Sequence, residues 1–548
     1  MASGLMADSV QTEPSGLSGR GQARRVAGNS VGLMGLQLAR LVIAFLLTPF
    51  MLNQLGLLQF GLWTFLGSAT GMLGILDLGI GTTFVRFIAR HHATGDMVSI
   101  ARLASLGVAI YLVLGVLLSP VALAVGPLVV HHLHLAPPLA SEAFRVFLLL
   151  FAYLFVANAM APMSALLAGM GDLRLASLAG LAGQVVYAVL VAVTLLGGAG
   201  LYGVVLASFC QVAVVAAICY VIARRRLDRV FANPLRIGRD LLGEVLSFGG
   251  WMQINKLSTM VNLETDAVVI GAAVSVSDVG IYQVANRLAL LTRMFPLTLL
   301  SALLPAASAA YAEADHALLR RLRTEGNRVL TGFSLVVGGA IASLSPAFID
   351  AWLPHRYPHL QIIVLLLVVS YVINNLTGVG TTMVQAAGRP RLEVEYGVVG
   401  ALLNVGLTVG LVFEFGLYGV LAGTVAGIVL SSLYFLWRYH RTYSLTFRQE
   451  FGAWLWRLVL SVSAAAVAAR AFITMMPWWS SEPRLDATLL VATGFTLYVI
   501  ALSVGFRVSG FAASIDPSMF RKVLPAPLAG ALQTRLAFAV GIRRLQSD

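Results

Sequence analysis

The sequence predicts an all-α polytopic membrane protein of about 14 transmembrane helices. Two six-helix lobes form a parallel repeat, and two further helices follow them. Three observations carry this prediction. Apolar segments of spanning length recur along almost the whole chain, basic residues fill every second gap between them, and the two halves share motifs at nearly the same offset. A hydrocarbon core is about 30 Å thick and needs roughly 20 apolar residues per helix. A composition of 58% hydrophobic and 11% charged residues leaves too few charges to surround a soluble core of 548 residues. Helices satisfy their own backbone polar groups in lipid. The 53 glycines would weaken helices in water, but in a bilayer they permit close helix approach.

In chain order, residues 1–28 read as a disordered cytoplasmic tail, polar and rich in Gly and Ser. The first span reads as an uncleaved signal-anchor. An N-lobe, 29–225, holds spans at 29–52, 60–82, 103–130, 143–168, 176–197 and 202–223. A cytoplasmic linker, 226–242, leads to a C-lobe, 243–440. Its spans are 243–271, 280–305, 326–350, 360–386, 394–413 and 417–437. The final pair, 452–475 and 486–506, lies within 452–506, and a basic cytoplasmic tail occupies 507–548. Within that tail LAGALQTRLAFAVGIRRL can form a basic amphipathic helix on the inner leaflet.

Arg24 and Arg25 precede the first span, and Arg86, Arg90 and Arg102 flank the second gap. Even-numbered gaps continue the pattern with Arg174, Arg224 to Arg226, Arg320, Arg321, Arg323, Arg389, Arg438 and Arg441. The odd gaps carry little beyond Arg356 and Arg484. The positive-inside rule puts both termini in the cytoplasm. The net charge of +13 then orients the chain and attracts anionic membrane lipids. It is spread over many loops, which argues against nucleic acid as a partner. Cys210 and Cys219 share the sixth span, too far apart along one helix to bridge.

The duplication is read from matched motifs. GDLRLASLAGLAGQVVYAVLVAV and a following GLYG correspond to GRPRLEVEYGVVGALLNVGLTVG and a following GLYG. Gly171 pairs with Gly388, and Leu201-Tyr202-Gly203 with Leu417-Tyr418-Gly419. Phe60-Gly61-Leu62-Trp63 pairs with Val279-Gly280-Ile281-Tyr282. Six spans per copy is an even number, so both copies enter the membrane in the same sense. Halves related in this way enclose a cavity and rock around it.

Ionisable residues deep in a membrane are functional candidates, because each costs several kcal/mol. Arg40 and Lys256 lie near the middle of the first and seventh spans and are equivalent under the repeat. They are expected to face a central cavity and grip an anion such as a diphosphate. Arg287 and Arg293 sit six residues apart in the eighth span and cannot point the same way. Gln37 and Asn255 add polar contacts, as do Gln253 and Asn262. Glu264 and Asp266 could bind H⁺ or Na⁺ and couple its gradient, or simply neutralise Lys256. Asp77 is a further coupling candidate, with pairing to Arg86 or Arg90 as its structural alternative. His131, His132 and His134 cluster without neighbouring Cys or carboxylate, so they read as a solvated loop and not a metal site. The sequence calls for no cofactor: it contains no phosphate loop, HExxH pair or nucleophile elbow. It contains no soluble catalytic domain, so an enzyme is not expected.

Several of these segments resemble a known family. LGLLQFGLW with LDLGIGTTFVRFIAR, ETDAVVIGAAVSVSDVGIYQVANRL, and the two GLYG-linked repeats resemble the Wzx-type polysaccharide and O-antigen flippases. Their motifs are shared across the MOP superfamily with multidrug (MATE) exporters and the lipid II flippase. The resemblance implies a V of two lobes with alternating access, in the bacterial inner membrane. It implies a polyprenyl-diphosphate-linked oligosaccharide as cargo, a cationic central cavity, and polysaccharide polymerase and chain-length machinery as partners. Drug exporters usually have twelve helices, whereas the extra pair here has a counterpart in the lipid II flippase. A drug exporter, which would favour acidic midplane residues, is the main alternative. A membrane polymerase or ligase would need a large outer loop, and a non-transporting scaffold would leave a buried cationic pair without purpose.

Overall fold

The computed structural model describes residues 19–73, 80–233, 264–353, 359–389, 391–476 and 483–510, with isolated positions between them. Asp77, Gln253, Asn255, Lys256, Asn262 and the C-terminal amphipathic segment lie outside the described residues.

Among the described residues the regular structure is entirely helical. The first half contains α1 (Gly19–Leu73), α2 (Ile80–Ala93), α3 (Met97–His131), α4 (Pro137–Gly169), α5 (Leu173–Leu196) and α6 (Gly200–Arg224). The second contains a helical segment at 264–273, then α7 (Val276–Ala312), α8 (His316–Trp352), α9 (Leu360–Asn375), α10 (Gly378–Ala386) and α11 (Arg391–Thr442). The short α12 (Phe447–Phe451) leads to α13 (Trp454–Met475) and α14 (Pro483–Ser509). Caps set the starts. Asp96 accepts from the Ser99 amide at 3.0 Å before α3, and hydrogen bonding to Ser99 holds its carboxyl below the ordinary range. Ser275 and Asp315 cap α7 and α8 in the same manner.

Ten helices among the described residues are long and apolar enough to cross a membrane, and not the fourteen expected. The difference has identifiable origins. α1 merges the first two expected spans across a kink at Gly56 (φ 73°, ψ 168°), and α11 merges the eleventh and twelfth at Gly416 (φ 55°, ψ −132°). Such backbone angles are open to glycine and strained for other residues, so one residue turns the chain where hydropathy suggests a loop. The seventh expected span lies mostly outside the described residues. In α7 the apolar stretch among them is only Leu303–Ala312.

Sequence-matched positions share backbone states. Gly200 and Gly416 head the two GLYG motifs with φ of 54° and 55°. Gly171 and Gly388 turn at 88° and 67°. Asp172 with Arg226, and Glu395 with Arg438 at 3.2 Å, tie the ends of the two matched helix pairs together.

The largest core joins both halves. It runs from Met51, Phe60 and Val130 through Leu201 to Val276, Ile349, Leu360 and Leu417. These residues flank the odd-numbered gaps, the end that the charge pattern expects outside. Among the described residues, the cores at the even-gap end are separate. One, around Phe84, Ile100 and Leu227, belongs to the first half. Others, around Phe435 and Trp454 and around Leu303 and Met383, belong to the second. α13 and α14 pack on α8 and against each other.

Candidate functional site

The halves meet where α1 crosses α7. Gly61 and Gly280, matched by the repeat, lie against each other here: a Cβ on Gly280 would be 3.4 Å from the Gly61 Cα. A Cβ on Gly61 would meet the Val276 carbonyl oxygen at 2.0 Å, so backbone packs on backbone.

About two turns further along α7, Arg287 reaches back across this seam. Its Nη1 donates to Thr48 Oγ1 on α1, and its guanidinium lies 5.8 Å from the centre of the Phe60 ring. Tyr187 of α5 lies within electrostatic reach. Arg293 points elsewhere, as the spacing requires, 5.3 Å from the centre of the Tyr371 ring on α9. Tyr371 donates to Asn286 at 2.7 Å, and Asn375 donates to the Thr292 carbonyl and to Ser334, each at 3.0 Å. This buried network fixes α7 on α8 and α9.

Arg40 lies across α5. Its Nη2 donates to the Ser177 carbonyl at 2.8 Å while Nε is buried without a partner. Gly180 makes the space, since a Cβ there would sit 2.0 Å from Nη2. Gly180→Ala is therefore expected to expel the guanidinium and cost about 1–3 kcal/mol. In an Arg40→Met background the same change should cost under about 1 kcal/mol, read as a thermal double-mutant cycle. Equal costs in both backgrounds would mean that the contact is immaterial. Gln37, one turn earlier, is exposed.

All three arginines are held by neutral groups, and none pairs with a carboxylate among the described residues. Neutral partners position a cation but leave its charge uncompensated.

The carboxylates separate. Glu264 is half-buried beside Gly71 of α1. Asp266 is 1% exposed and accepts from the Tyr282 hydroxyl at 2.5 Å. Asn404 and Thr424 of α11 face the same carboxylate. Asp266 Oδ1, both amide atoms of Asn404, and the Thr408 and Thr265 hydroxyls are buried without hydrogen-bond partners. Gly423 and Gly427 bring the two arms of α11 together at Thr408 and Asn404. Sequence reading missed Asn404, Thr408 and Thr424. A usable signal was present in the repeat, where Asn404 and Thr408 replace Tyr187 and Val191 of the first copy.

A family model described as polysaccharide biosynthesis protein matches residues 26–310, just over half of the chain. No curated protein matches. Among solved structures, the chain is similar to an inward-facing multidrug resistance MATE family transporter of the MOP superfamily. That match has TM-score 0.62 and 17% identity, covering 76% of this chain and 98% of the other. It is similar to the lipid II flippase MurJ in an inward closed conformation (TM-score 0.64, 12% identity, 87% and 98% covered). A third likeness is to a MOP superfamily transporter from Pyrococcus furiosus described as having a binding pocket of reverse polarity. It has TM-score 0.54 and 19% identity, with 76% and 94% covered. At these identities the likenesses speak for the fold.

Proposed function

The chain belongs to the polysaccharide biosynthesis protein family of the MOP superfamily, and from that premise we propose that it flips a polyprenyl-diphosphate-linked oligosaccharide across the bacterial inner membrane. The observation that carries this reading is the set of guanidiniums within the helices, Arg40, Arg287 and Arg293, that pair with no carboxylate among the described residues. A diphosphate supplies the missing charge, and a guanidinium fork matches its oxygens. Lys256, Asn255 and Gln37 complete the proposed binding set. The layout proposed with it is two six-span lobes and a C-terminal pair, with both termini cytoplasmic. The core shared by both halves at the odd-gap end, with separate cores at the other end among the described residues, supports reading the structure as an inward-open state. The headgroup enters between the lobes while the polyprenyl tail stays in lipid, and rocking releases it outward. Asp266 is the proposed coupling residue, with Glu264 and Asp77 as lesser candidates. A drug exporter remains the second reading, favoured by the buried carboxylate Asp266.

The test is to quantify polyprenyl-diphosphate-linked oligosaccharide by leaflet in cells lacking the protein. Accumulation on the cytoplasmic leaflet, relieved by wild type but not by Arg40→Ala/Lys256→Ala, is the expected result. Unchanged lipid-linked sugar in a strain without a second flippase would favour the exporter.

A further inference from the structure

A second cationic feature lies away from the seam between the halves. At the even-gap end of the second half, a cavity of about 600 Å³ opens between the end of α7, the start of α8, α10, the end of α11 and the turn before α12. Its walls include Tyr311, His316, Arg320, Arg323, Tyr443 and Gln449. Two arginines and a histidine line it and no acidic residue does, which fixes the sign of its field. Glu450, next to the cavity-lining Gln449, is 2% exposed and already engaged. Asn327 donates to it at 2.7 Å, and His440 Nε2 contacts its other oxygen. Neither Arg320 nor Arg323 is paired with a carboxylate among the described residues, and Arg323 Nε is buried without a partner. Arg389 lies within electrostatic reach of Tyr311 and adds a further positive charge. The floor is rigid: Tyr439 stacks on Phe435 at 5.7 Å, and Thr446 and Gln449 close a capping box.

We propose that this cavity holds a phosphate group. Guanidiniums, an imidazole, tyrosine hydroxyls and a carboxamide are donors suited to phosphate oxygens. The volume falls within the usual range of small-ligand sites, about 300–1,000 Å³. The cavity lies at the membrane boundary, so the phosphate can come from an anionic lipid headgroup or from solution. Every residue that lines it lies in the second half, between Tyr311 and Gln449, so the proposed occupant is resident and is not cargo. Bound there, a phosphate ties α8 to the α11–α12 turn.

The experiment uses the full chain in nanodiscs of phosphatidylcholine, with and without phosphatidylglycerol. Native mass spectrometry counts retained phosphatidylglycerol, and thermal shift with inorganic phosphate in pure phosphatidylcholine reads the soluble source. Arg320→Gln/Arg323→Gln is expected to weaken binding of the competent source at least about 10-fold, or about 1.4 kcal/mol. Arg320→Lys/Arg323→Lys should recover part of it. Tyr443→Asp, at a half-exposed position, should reduce it by placing a carboxylate in the cavity. Retention of lipid alone assigns the headgroup, and a shift with phosphate alone assigns the soluble anion. Lipid retention and phosphate shift that are the same in wild type, the Gln pair and Tyr443→Asp would overturn the site.

Discussion

Gly61→Ala is expected to open the seam between α1 and α7 and to lower transport at least about 10-fold. The added methyl would sit 2.0 Å from the Val276 carbonyl oxygen and 2.9 Å from its carbon. A flexible side chain could swing away, but a carbonyl inside a helix can move only with the helix. Overpacking of this kind costs about 1–3 kcal/mol where nothing yields. Here a yielding coordinate exists, the separation of the two halves, so the cost falls on the conformation sealed at this end. A penalty of about 2 kcal/mol changes a two-state ratio roughly 30-fold. Spin labels at Leu196 and Phe413, 69% and 80% exposed and one in each half, read the separation at this end. The expected result is a longer distance in Gly61→Ala, with expression and helicity retained. Gly280→Ala should act in the same direction but less, because its nearest contact is the mobile Leu57 Cδ1 at 3.0 Å. An unchanged distance together with normal transport would show that the seam is not a gate.

This seam shows what the sequence could and could not convey. The sequence reading paired Gly61 with Gly280, but a pairing along the chain does not say that two residues touch. Contact between them depends on where the axis falls, and that is a property of the packed halves. Hydropathy located spans by window averages, so it could not see that Gly56 and Gly416 turn the chain within one assigned helix. The basic candidates were legible because a charge in an apolar run is conspicuous. Their surroundings were not: the Gly180 notch that receives Arg40 and the Thr48 hydroxyl that receives Arg287 are more than 100 residues away in sequence. Glu264 and Asp266 looked alike as acids two residues apart. Half a helical turn puts one beside α1 and buries the other. Asn404, Thr408 and Thr424 escaped because neutral polar residues barely lower the hydropathy of a span. The divergence of the repeat copies is itself informative. Tyr187 of the first copy lies near Arg287, while its counterpart Asn404 faces Asp266.

That asymmetry underlies the second prediction, that Asp266→Asn removes the response of the protein to a cation while preserving its fold. A carboxylate 1% exposed inside a helical membrane protein, with one hydroxyl donor and no cationic partner among the described residues, is costly in its ionised form. It can be relieved by a proton or by a small hard cation. The second possibility has ligands at hand, since Asn404, whose amide oxygen nothing else engages, and Thr424 face the carboxylate. Carboxylate, amide and hydroxyl oxygens are the donors such a cation prefers. A ligand at about 100 times its dissociation constant stabilises by about 2.7 kcal/mol. The melting temperature of wild type should therefore rise either with Na⁺ over K⁺ or with falling pH, and the arm that responds identifies the coupling ion. Asp266→Asn keeps an acceptor for Tyr282 and loses the charge, so it should melt near the proton- or cation-bound wild type and show no further rise from this site with either. Asp266→Ala also strands the Tyr282 hydroxyl, 2% exposed in its residue, and should fall lower by about 1–3 kcal/mol. If Asp266→Asn instead kept the full ion response of wild type, coupling would have to reside elsewhere, and the half-buried Glu264 beside Gly71 would become the residue to change next.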